Sequence, residues 1–279
     1  MRFRVCAFAL LAVVLAFGTV QIARARPHPL RIVSLIPSLT EDLFAIGAGA
    51  DVVAVSAYTD YPAAAARLPQ VASFTSIDAE AIVRLHPDVV VGIPAQARLV
   101  ADVARAGVRV ELIRDESFDE LFSSLARLGA LTGHEREAAL LARRLRAQTR
   151  RLVRGLPPDR PSTFVVLETS PIVTVGNGSY IAHLIALAGG TNAAGELGEA
   201  YPRYSAEALV ARQPDAIVAD RMSGLASVLG SPPWNALRAV RAGRVSILDD
   251  ADILERPGPR YNEGLAWLIA HLHPHGQRR

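Results

Sequence analysis

The sequence predicts an α/β protein of two lobes, each with a central parallel sheet, joined by one long rigid helix and leaving a ligand cleft between them. Three observations carry this. SIDAEAIVRLHPDVVVG at 76–92 returns as YSAEALVARQPDAIVAD at 204–220. Strands such as DVVVG are apolar without alternation, the pattern of a parallel sheet covered on both faces. Between the copies, Ala138, Leu141, Leu145 and Leu152 form one helical stripe in an otherwise arginine-rich segment, 134–156.

The elements follow in order. RIVSL (31–35) is a buried strand, and SLTEDLFAIGAG (38–49) a helix opened by Ser38 or Thr40 and stopped by Gly47 and Gly49. VVAVS (52–56) is the next strand. Asp78 caps a short helix from Ala79 to Leu85, Pro87 stops it, and DVVVG is the strand that follows. LVADVARAG and VRVELI complete the unit as helix and strand. The second half repeats this grammar: TFVVLE (163–168) as strand, SYIAHLIALAGG (179–190) as helix, SAEALVARQPDAIVA as helix and strand, and AGRVSIL (242–248) echoing AGVRVELI (106–113). The 134–156 segment spans roughly 30 Å as a helix, stiff enough to keep the lobes from swinging widely.

Residues 1–25 read as an export signal: Arg2 and Arg4, an apolar run, then ARA at 23–25. The run is short for a membrane span of ~20 residues. Cys6, the only cysteine, sits at the front of that run, so a chain cut after it would carry no thiol, disulfide or lipid-bearing cysteine. The lobes are then expected at 26–132 and 161–279, with the linker helix at 133–160. The formal charge of +3 disappears once Arg2, Arg4 and Arg24 are removed, leaving 27 basic residues against 27 acidic ones. No basic tract with interleaved aromatics occurs, which excludes the usual signature of nucleic-acid binding. An exported, cysteine-free protein of two lobes around a cleft suits the capture of a small molecule.

The chain resembles the periplasmic binding proteins that feed cobalamin, siderophores and haem to ABC importers, and its likeness is greatest to the cobalamin-binding branch. SLIPSLTEDLFAIGAGADVVAVSAYTDYP (34–62) is similar to that family's opening and DILERPGPR (252–260) to its last pocket loop. The resemblance implies two Rossmann-like lobes, no catalysis and no intrinsic cofactor. It also implies a periplasmic monomer that delivers a corrinoid, a ferric siderophore or a haem to a dimeric permease.

By position, the resemblance assigns ligand contacts to Tyr58, Phe74, Ile93, Val173, Tyr201, Asp252 and Arg256. Phe74 and Tyr201 stand where the cobalamin-binding relative has tryptophan, and Ile93 and Val173 where it is aromatic, so the pocket is expected to be roomier. Glu80 and Glu207 fall at the positions that dock on permease arginines. A twofold partner presents its site twice, so a pseudo-symmetric ligand presents its contact twice. The same glutamates also suit the positive end of a helix dipole, worth ~0.3–1 kcal/mol. Arg260 and Tyr261 are expected to be structural, and Trp234 to pack in the second lobe.

Two other classes fit less well. A zinc receptor needs converging histidines, whereas the seven here, His28, His86, His134, His183, His271, His273 and His275, are scattered or in a tail expected to be solvated. An enzyme reading rests on VGNGSYIAH (175–183), with Ser179 and His183 one turn apart. That stretch matches neither GxGxxG nor GxSxG, and more simply makes a turn before Ser179 caps a helix.

Overall fold

The computed structural model describes residues 29–115 and 117–274, so the expected export signal at 1–25, His28 and His275 lie outside the described residues. The first lobe contains β1 (Ile32–Ser34), α1 (Pro37–Ala45), β2 (Val52–Ser56), β3 (Gln70–Ala72), α2 (Ala79–Arg84), β4 (Val89–Gly92), α3 (Ala101–Arg105) and β5 (Val110–Leu112). Two helices follow, α4 (Phe118–Thr132) and α5 (Glu135–Leu152). The second lobe begins with β6 (Ser162–Val166), the hairpin β7 (Glu168–Thr169) and β8 (Ile172–Val173), α6 (Tyr180–Leu187) and β9 (Thr191–Asn192). It continues with α7 (Ala206–Arg212), β10 (Ala216–Asp220), α8 (Leu225–Val228), α9 (Arg238–Arg241), β11 (Val245–Leu248), α10 (Asp252–Glu255) and α11 (Tyr261–Leu272). The sheets run β3-β2-β1-β4-β5 and β11-β10-β6-β9, and every pairing within them is parallel.

The unbroken apolar strands are covered on both faces, as their composition demands. Val89 and Val91 of β4 join one core and Val90 joins another. In β10, Val218 faces the first of these cores while Ile217 and Ala219 face a third, which also takes Trp234.

The repeated sequence occupies matching places: α2–β4 and α7–β10 each put their strand beside the first strand of their lobe. Its PD dipeptide has a structural cause. His86 and Gln213 turn each helix end with positive φ, 46° and 47°. The aspartates that follow then accept from the backbone at the head of the neighbouring strand, Asp88 from Arg31 N at 2.8 Å and Asp215 from Ser162 N at 2.9 Å.

The linker is less solitary than the sequence suggested. Helix α5 has 18 residues and buries Ala138, Leu141 and Leu145 as expected. It packs along α4, which the pattern reading did not identify, and against α11, which also contacts α6 of the second lobe. Phe118 of α4 stacks on His183 of α6 at 4.4 Å and meets Tyr261 of α11 edge-on at 5.2 Å. One core cluster runs from Ile32 through α4, α5, α11 and α6 to Val165 and Val218, so a layer of these four helices, rather than a lone rod, forms the junction.

Two local readings are corrected. Neither Ser38 nor Thr40 caps α1, which starts at Pro37 with no side-chain cap; Ser38 turns to Asp115, and Thr40 donates to Ser34 Oγ at 2.8 Å. The expectation of a solvated tail fails at His273, because α11 continues to Leu272 and His273 is buried, its ring meeting Ala188 O at 2.9 Å.

A Cβ at Gly264 would collide with the Ile253 carbonyl, so α11 approaches α10 this closely only with glycine there. Gly264→Ala is expected to cost about 2 kcal/mol by overpacking, seen as a melting temperature several degrees lower; an unchanged melt would contradict this tight contact.

Candidate functional site

Between the lobes lies a cavity of about 510 Å³, within the usual range for small-molecule sites. The first lobe supplies Ile36, Pro37 and Ser38 from the start of α1, Phe74, Ile93, Ala95 and Asp115. The second supplies Gly178, Ala200, Tyr201, Asp252, Glu255, Arg256 and Pro257. Phe74 and Tyr201, one from each lobe, line the cavity with 66% and 54% of their surface exposed.

The positive groups at this wall are already engaged. Arg256 reaches across to the first lobe, donating to Glu41 at 3.1 Å, Asp60 at 2.9 Å and the Tyr58 carbonyl at 2.8 Å, and it pairs with Asp252 at 2.7 Å. Arg260 holds both oxygens of buried Glu41 at 2.9 Å, reaches Asp250 at 2.9 Å, and lies over the Tyr61 ring. At the uncapped start of α1, Ser38 donates to Asp115.

Electrostatics follow from burial. Removal from water lifts Asp252 to about 6 and Glu255 to about 7, because a desolvated carboxyl disfavours its charged form. Asp220 reinforces the rise at Glu255 by charge and hydrogen bond. Asp42, wholly buried behind Ser38 and beside Asp115, is pushed well above the usual carboxylate range despite the Ser124 hydroxyl.

Of the residues expected to meet ligand, Phe74, Ile93, Tyr201, Asp252 and Arg256 line the cavity. Tyr58 and Val173 do not. Tyr58 sits at φ 64°, is 79% exposed, and offers its carbonyl to Arg256. Val173 pairs with Glu168 in the β7–β8 hairpin and forms a β-bridge with Arg203.

Glu80 and Glu207 occupy the first turns of α2 and α7, whose caps Asp78 and Ser205 accept from Ala81 N at 2.8 Å and Ala208 N at 3.0 Å. Both glutamates are exposed, and Glu80 lies 3.7 Å from Arg84. Ser179 caps α6, accepting from Ala182 N at 3.0 Å, and the His183 ring is stacked on Phe118. Among the described residues no group of three or more His, Cys, Asp or Glu side chains is placed to hold a metal, and no helix is long and apolar enough to cross a membrane.

Ser38, Asp115 and Glu255 at the cavity, and Glu41 behind Arg256, carry no motif that marks them as site residues in the sequence. Glu41 does carry a signal of burial: it lies in the same helix as the buried Leu39 and Leu43, where a carboxylate needs a partner.

A family model described as periplasmic binding protein matches residues 32–251. The vitamin B12-binding protein of Vibrio cholerae is 30% identical over 256 residues, which cover 89% of this chain and 91% of that protein. The crystal structure of the periplasmic vitamin B12 binding protein of Vibrio cholerae matches with a TM-score of 0.76 at 28% identity, covering 89% of this chain and 98% of that one. A periplasmic haem-binding protein from Pseudomonas aeruginosa matches with a TM-score of 0.79 at 29% identity, covering 89% and 94%.

Proposed function

Because the chain belongs to the periplasmic binding protein family, whose members are substrate-binding proteins rather than enzymes, we propose that it captures a corrinoid in the interlobe cavity and delivers it to a dimeric ABC importer permease. The observation that carries this is the cavity itself, with an exposed aromatic ring from each lobe and a polar end at Asp252 and Arg256. Flat ligands are held well by such rings. Similarity to the vitamin B12-binding protein of Vibrio cholerae favours a corrinoid. The equally close likeness to a haem-binding protein supports a second reading, a haem or ferric siderophore in the same cavity. In this proposal the ligand is cargo and the chain carries no resident cofactor.

The protein acts as a periplasmic monomer, exported by residues 1–25 and not lipidated, since Cys6 lies inside that segment. Ligand contact falls to Phe74, Ile93, Tyr201, Asp252 and Arg256, with Tyr58 and Val173 at the margin. Glu80 and Glu207 dock the two lobes on the two permease subunits, their charges setting register and on-rate.

The test is a panel of cyanocobalamin, cobinamide, haemin and ferric hydroxamates followed by absorbance titration and melting shift. One of them should bind stoichiometrically, raise the melting temperature and undergo no turnover. If none binds below about 10 μM, weaker than ~7 kcal/mol, the ligand assignment fails.

A further inference from the structure

We infer that the cavity selects against anionic ligands, and that the cargo presents amide, amine or cationic donors to a wall of carboxyl groups. The inference rests on the receptor reading above and deepens it.

The cavity has two features able to recognise an anion, and the protein's own acids occupy both. Arg256 is the one basic residue lining the cavity among the described residues, and Glu41, Asp60 and Asp252 surround its guanidinium while Tyr58 adds a carbonyl. The other is the start of α1, a nine-residue helix with no side-chain cap, where Asp115 takes the Ser38 hydroxyl. A helix start attracts negative charge, but here an internal carboxyl already sits beside it.

What remains facing the ligand is Asp115, Asp252 and Glu255 against a single neutralised arginine. A ligand carboxylate would have to displace an internal carboxylate from Arg256 and then sit beside the others. Like charges brought together out of water repel strongly. A ligand N–H, in contrast, is a donor, and a carboxylate oxygen that already accepts one hydrogen bond can accept another.

The pH response has a defined direction. Asp252 faces Arg256 and Arg260 as well as Asp60 and Asp250, and Glu255 faces Asp220, Asp252 and Arg256. Burial holds Asp252 up to about 6 and Glu255 up to about 7, so the wall gains negative charge as the pH rises through that interval. Affinity for a cation should rise there, and affinity for an anion should fall.

Two charge-matched series test this on the wild-type protein. One is ferrioxamine B, a cation, with its N-acetyl (neutral) and N-succinyl (anionic) derivatives; the other is cyanocobalamin with its monocarboxylates, in which one amide becomes an acid. In whichever series binds, the anionic member is expected to be at least about tenfold weaker, and the gap should widen from about pH 5.5 to about pH 8. The Asp252→Asn, Glu255→Gln double variant should narrow it; the wild-type pH series stands even if that variant folds poorly. Equal or tighter binding of the anionic member would overturn the charge selection while leaving the receptor reading intact. If haemin alone binds, a ligand with two carboxylates is accepted and the charge selection is overturned; if neither series nor haemin binds, the receptor reading falls and the inference with it.

Discussion

Reversing both tip charges, Glu80→Arg with Glu207→Arg, is expected to abolish uptake of the cargo through its importer while leaving ligand Kd within about twofold. Both side chains point to solvent and neither lines the cavity. Replacing them costs the fold little: the loss of a helix-dipole contact is ~0.3–1 kcal/mol each, and the Arg84 pairing is an exposed one worth ~0–1 kcal/mol. The effect on docking is larger, since like charges now meet at two pseudo-symmetric contacts and suppress the encounter. Uptake of labelled ligand, measured beside a titration of the purified variant, separates the two. Full uptake would sink the docking assignment, and lost ligand binding would sink the separation of tips from cleft.

The second large effect is expected at Glu41. Glu41→Gln removes the carboxylate that both Arg256 and Arg260 share across the lobes, and the side chain it replaces is 1% exposed. Breaking a buried pair from one side costs up to about 3–5 kcal/mol; here Arg256 keeps Asp60 and Asp252 and Arg260 keeps Asp250, so the lower end of that range is expected. For a chain of this size that is a fall in melting temperature of roughly 10 °C. Arg260 shows how strongly the site holds its charge: burial opposes the guanidinium, and Glu41 and Asp250 outweigh that and raise its pKa. Ligand affinity should fall as well, since Arg256 and Pro257 line the cavity. A shift under about 2 °C would mean that the network does not join the lobes.

Much of the fold was legible because its causes are local. Unbroken apolar strands state that both faces are covered, and Asp78, Ser179 and Ser205 announce helix starts by bonding the backbone three residues on. The PD pair at 87–88 and 214–215 was legible as repetition, though only the paired strands explain why aspartate follows proline in both lobes. Helix α4 went unread although Ser117 and Glu120 form a capping box at its start. Residue type also misled at α1, where Ser38 and Thr40 look like caps but bond elsewhere.

By itself the sequence determined two α/β lobes, their repeated helix-strand unit, the stiff helical junction and the placement of Glu80 and Glu207 on equivalent first turns, all consequences of short-range periodicity. Only the tertiary structure decided what the cleft wall offers a ligand. Arg256 reads in sequence as a ligand contact in the same loop as Asp252, yet its partners Glu41 and Asp60 lie 215 and 196 residues away. Charge pairing is set by distance in space, and no local pattern records which carboxylate arrives beside which cation once the lobes close on a shared core.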